Sequence, residues 1–95
     1  MLYRIEMEKL DKNLFLLDGF DTDYEFDSVS SAMEYARKCV SDLINKDTLF
    51  VRFHNERNTK ILMGREQNMP VAKMDFYNGD IVIFTIWKKR GTLKK

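Results

Sequence analysis

A single cysteine, Cys39, precludes an internal disulfide and fits a reducing compartment. One histidine, His54, leaves the chain short of a zinc set without help from carboxylates. A Cys/His catalytic dyad would need an accessible, electropositive thiol, whereas Cys39 sits on the flank of an apolar helical stripe and reads as a structural thiol. Proline occurs once, and the four glycines, Gly19, Gly64, Gly79 and Gly91, are scattered. No phosphate-cradling loop, dinucleotide fingerprint or nucleophile elbow can be drawn through them. The longest strongly apolar run, Ile81–Trp87, falls far short of the roughly 20 residues that cross a bilayer. The alternating start, Met1–Leu10, lacks the basic-then-apolar order of a signal peptide. These absences predict a cytoplasmic, non-enzymatic domain with no cofactor, no bound metal and no membrane contact.

What the chain does contain is a core's worth of apolar residues, 44%, beside 33% charged ones. That balance suits one globular domain over residues 1–90, followed by a basic tail, 91–95, expected to fray. The net charge of +1 conceals two poles. Residues 1–47 hold eleven acids against six bases, and residues 48–95 hold four acids against ten bases. Two such halves can simply attract each other within one fold, or one pole can face a charged partner.

Alternation over Tyr3–Met7 predicts a half-buried strand, and Leu14–Leu17 a second one, broken at Gly19. Asp27-Ser28 opens a helix whose stripe runs Val29, Ala32, Met33, Ala36, Val40, Leu43 and Ile44. Two hairpins are expected next. Thr48–His54 turns at Asn55–Asn58 and returns over Thr59–Arg65. Val71–Tyr77 turns at Asn78-Gly79, a two-residue type I′ signal, into Asp80–Lys88. That register sets Phe76, Met74 and Ala72 against Ile81, Ile83 and Thr85 on the helix face. It leaves Val82, Phe84 and Ile86, beside Lys73 and Asp75, on a half-polar outer face that needs a cover. The predicted fold is α+β, an antiparallel sheet in the order β-β-α-β-β-β-β with a single amphipathic helix packed on one face.

Acids alternate with mostly aromatic residues over Phe20–Asp27. In an extended chain Asp21, Asp23 and Glu25 line one face about 6.7 Å apart, close to the spacing of phosphates along a nucleic-acid strand. Asp27 or Ser28 can cap the helix, which would take Asp27 out of the row, while Asp18, and Glu6 and Glu8 of the first strand, are the residues that could extend it. As structure alone, such a row is a charged edge that discourages aggregation. As function, it is a phosphate-mimicking surface for a basic groove. The same acids do not make a calcium loop, since Phe26 stands where glycine is needed and Ala32 where the bidentate glutamate is needed. Carboxylates at this spacing also suit an inverting glycosidase, but no cleft is evident in a domain this small.

The basic half offers Arg52, His54, Arg57, Lys60, Lys88, Lys89 and Arg90 as a phosphate-gripping set with Phe50 for stacking. Any such nucleic-acid binding would be electrostatic and sequence-tolerant. In size, acidic patterning and lack of catalytic machinery, the chain resembles the small inhibitors carried by phages and mobile elements, anti-CRISPR proteins among them. That resemblance implies a protein partner that itself binds nucleic acid. Three expectations follow: a protein-binding inhibitor using Asp18, Asp21, Asp23 and Glu25; a direct nucleic-acid binder; and a homo-oligomer joined through Val82, Phe84, Ile86 and Trp87.

Overall fold

The computed structural model describes residues 1–22 and 25–89. Five strands and two helices follow one another as β1 (Leu2–Leu10), β2 (Leu16–Asp21), α1 (Val29–Leu43), β3 (Thr48–Phe53), α2 (Glu56–Met63), β4 (Asn68–Phe76) and β5 (Ile81–Lys89). All pairings are antiparallel, and the sheet order is β2-β1-β5-β4-β3. The α+β class is as expected, but among the described residues there are two helices instead of one and five strands instead of six. No helix among the described residues is long and apolar enough to cross a membrane. The expected basic tail, 91–95, lies outside the described residues.

Helix α1 forms where the stripe predicts. The Ser28 hydroxyl oxygen accepts the Ser31 amide, which satisfies one of the helix's open N–H groups. Val29, Ala32, Met33, Ala36 and Val40 are buried against the sheet. Leu43 and Ile44, expected on the same stripe, are exposed at the end of the helix.

The segment Asn55–Arg65 is the main correction. It is no hairpin return but the short helix α2. The Asn55 side chain caps it by accepting the Asn58 amide at 3.0 Å, and Glu56 with Lys60 forms an i,i+4 ion pair at 3.6 Å. Its inward residues, Thr59 and Met63, are four apart and both fully buried. Glu56 also accepts hydrogen bonds from Arg37 and Ser30 of α1, each at 3.1 Å. The Arg37 bond, then the Ser30 bond, and the nearby Lys60 charge hold the Glu56 carboxyl below the usual glutamate range. A carboxyl depressed in the folded state stabilises the fold above its unfolded pKa, and that contribution is lost as pH falls through the folded one. Glu56→Gln is therefore expected to lower the urea midpoint at neutral pH, by a gap that closes below about pH 4. A gap independent of pH would show that the carboxylate charge is not what joins the helices.

The second correction concerns register. Asp75 pairs with Ile81, Lys73 with Ile83 and Met74 with Val82, one residue away from the expected alignment. The Phe76 amide donates to the Asp80 carbonyl and the Gly79 amide to the Phe76 carbonyl, so the turn is the three residues Tyr77, Asn78 and Gly79. Gly79 alone takes positive φ there, +93°, whereas a type I′ turn needs it at both central positions. A one-residue slip transfers every side chain of a strand to the other face. Val82, Phe84 and Ile86 thus lie in the core, each no more than 2% exposed, and they cannot form an interface. They meet Ile5, Met7, Ala72 and Met74 beneath α1 and α2. A bulge at Val71 keeps both Val71 and Ala72 inward.

Both helices cover the same side of the sheet. Its other side carries, strand by strand, Asp21 on β2, Arg4, Glu6 and Glu8 on β1, Ile81, Ile83, Thr85 and Trp87 on β5, Lys73 and Asp75 on β4, and Phe50 and Arg52 on β3. None of these is buried.

Candidate functional site

The first strands carry the acidic pole. Glu6 lies directly opposite Asp21, and Glu8 opposite Gly19, so the row that reaches the open face is Glu6, Glu8 and Asp21. Asp18 pairs with Lys9, an odd number of residues away from Asp21, and so belongs to the other side of the sheet. Asp21 stands opposite Glu6, but Glu25 is not in the same ladder. The Thr22 amide donates to the Ile5 carbonyl and Phe26 bridges Tyr3, so Thr22 and Phe26 are four residues apart where their β1 partners are only two apart. Phe20 and Phe26 do point inward: Phe20 meets Phe84 edge-on at 6.4 Å, and Phe26 lies 5.2 Å from the Tyr35 ring. Asp23 lies outside the described residues.

Two of the named acids already have partners. Asp21 is ion-paired with Arg4, and Glu25 with Lys89. Arg4 also sits over the Trp87 ring at 5.0 Å, and the Trp87 indole N–H donates to Glu6 at 3.2 Å. Among the described residues Asp18 accepts only the amide of its neighbour Gly19, at 2.8 Å.

The edge itself is the feature that sequence reasoning missed. All six residues of β2 are exposed, and β2 ends the sheet. Before it stand Leu14 and Phe15, each about two-thirds exposed, and Leu16 and Leu17 continue the apolar run. Asp11 holds this corner, its side chain accepting the amides of Asn13 and Phe15. Leu14 adopts φ +67°, a left-handed conformation that costs a side chain with a Cβ about 1–2 kcal/mol. A groove along the edge is lined by Glu6, Glu8, Leu16, Leu17, Asp18 and Asp21. At Gly19 the two strands approach so closely that an added Cβ would lie 2.9 Å from the Met7 carbonyl oxygen. Gly19→Ala is expected to cost about 1 kcal/mol and to speed hydrogen exchange in β2 ahead of the other strands. Uniform exchange across the sheet would contradict a local clash.

The basic residues do not form one ribbon. Arg52 lies on the open face, its guanidinium 5.3 Å from the Phe50 ring. His54 faces α2 instead, where Nδ1 is 2.7 Å from the Thr59 hydroxyl. Arg57 is exposed on α2, Lys60 is held by Glu56 and Lys89 by Glu25, while Lys88 pairs with Tyr3 on the helix side. Arg90 lies outside the described residues. Cys39 is half-buried against the core. Among the described residues no three His, Cys, Asp or Glu side chains gather as metal ligands would. No protein family, no curated protein and no solved structure matches the chain.

Proposed function

We propose that the chain is a small non-enzymatic binding protein that takes up an extended, basic segment of a protein partner along the outer edge of β2. The observation that carries this is the edge itself: a terminal strand with every residue exposed, flanked by Leu14–Leu17 and by the carboxylates of Glu8 and Asp18. Proteins ordinarily blunt such an edge with lysine, proline or a cover. Here apolar side chains stand beside it, which suits strand addition, with main-chain bonds for affinity and side-chain pockets for specificity. The acids favour a basic partner and hasten its approach. A phosphate-mimicking inhibitor, of the kind phages carry against nucleic-acid-binding proteins, is a narrower form of this reading. It would rely on Glu8 and Asp18, because Asp21 and Glu25 already hold Arg4 and Lys89.

Affinity capture from host lysate, compared between the native chain and Leu16→Lys/Asp18→Lys, tests the proposal. The specific partner should be lost with the variant while the fold persists. Equal capture by both would sink the edge reading. Leu14→Asn separates binding from stability, because asparagine tolerates the left-handed conformation. It should raise stability by about 0.5–1 kcal/mol while weakening capture. Direct nucleic-acid binding would instead draw on Arg52 and Arg57 with Phe50, and a gel shift at low salt detects it.

A further inference from the structure

We propose that the uncovered sheet face joins two copies of this chain, face to face, about a two-fold axis running along β5. This inference rests on the sheet register and is independent of the edge reading. The pairings arrange the open face in rows that cross the sheet. One row reads Arg52, Lys73, Ile83, Glu8, Gly19 from β3 to β2, and the row beside it Phe50, Asp75, Ile81, Leu10, Leu16. The central strand contributes Ile81, Ile83, Thr85 and Trp87, an apolar column with one hydroxyl. To one side stand Glu6, Glu8 and Asp21 with Arg4, and to the other Lys73 and Arg52 with Asp75, so the two halves keep opposite net charge.

A two-fold axis parallel to β5 exchanges left and right and keeps each residue in its row. Ile83 then meets its own copy, Ile81 meets Ile81, and Trp87 meets Trp87. Lys73 of each copy falls opposite Glu8 of the other, twice per dimer. Arg52 falls opposite Gly19, where no side chain obstructs it, and Phe50 opposite Leu16. The alternative axis, across the strands, would set the acidic half of one copy on the acidic half of the other. Charge complementarity selects the first. Packed sheets cross at about 30°. One strand out from the axis this shifts facing residues by only about 2.5 Å, against roughly 6.8 Å between rows of like orientation. The Lys73–Glu8 match survives that twist.

The side chains are ready for such an occupant. Phe50 and Leu16 are 52% and 62% exposed. Glu8 has no ion pair or side-chain hydrogen bond among the described residues, and Lys73 makes only a long one, 3.7 Å, to Asp75. Five strands of six to nine residues present about 600 Å² per copy, which reaches the lower bound, about 1,200 Å² in total, for a specific interface. Association should therefore be reversible and concentration-dependent.

Sedimentation velocity from about 1 µM to about 1 mM tests this. The mass is expected to rise from 11.3 kDa to twice that value. Glu8→Lys and Lys73→Glu should each weaken association about tenfold or more, since each sets two like-charged pairs in the interface. The double variant Glu8→Lys/Lys73→Glu should restore it to within about threefold, and Ile83→Asp should be monomeric while keeping the native circular dichroism. A native chain that stays monomeric at the highest concentration overturns the proposal. So does a double variant no tighter than the singles, or assembly that continues past the dimer. Asp18→Lys alone distinguishes the two readings, because Asp18 lies on the helix side of the sheet and outside the dimer face, so weakened partner capture with an intact dimer separates edge from face.

Discussion

Phe84→Ala is expected to lose about 4 kcal/mol, most of what a 95-residue domain has to spare. Phe84 is fully buried, lies edge-on to Phe20 and pairs with Ala72 and Met7 on the strands either side of β5. No small neighbour can move in to fill the space, because the pairing fixes the backbone on both sides. The cost is thus the lost transfer of the ring plus a cavity. Ile83→Ala, one residue away on the open face, should cost less than about 1 kcal/mol. Urea denaturation of both variants measures the contrast. Comparable losses at the two positions would place β5 in the other register.

Thr59→Val is the second large effect, about 2 kcal/mol, although it leaves the volume almost unchanged. The Thr59 hydroxyl is fully buried and donates its one proton to the Asn55 carbonyl at 2.7 Å. It must then accept from His54, so Nδ1 of that ring carries a proton. Valine removes both bonds and leaves a part-buried imidazole N–H without its acceptor. The loosened end should include α2 and the residue that leads out of β3, visible as faster exchange of amides 54–63. If valine is neutral, the hydroxyl contributes nothing beyond its shape.

These two residues also mark where the sequence was hard to read. Helix α1 was legible because Val29, Ala32, Met33, Ala36 and Val40 recur over several turns. Helix α2 has eight residues and a buried stripe of only two, Thr59 and Met63, so no period can establish itself. Strand β5 failed for the opposite reason. Ile81 through Ile86 is apolar at nearly every position, so alternation cannot say which face turns inward. Only the turn could decide, and Asn78-Gly79 pointed to a two-residue loop where Tyr77 makes it three. The acidic alternation was visible as a pattern, yet its phase depended on where β2 leaves β1. The rows of mixed charge, with Glu8 level with Lys73 across the sheet, exist only once pairing is known.

The strand order has a bearing on how the chain comes into being. β1 sits between β2 and β5, and Glu6 meets Trp87 across 81 residues of sequence. During synthesis Ile5 and Met7 therefore emerge with one neighbour at hand and wait for the other until nearly all described residues have been made. Contacts so distant in sequence slow folding and lengthen the time for which apolar strands stand open. The nascent chain in that interval shows both Leu14–Leu17 and the underside of β1. Until β5 arrives, it depends on whatever in the cell shields such surfaces.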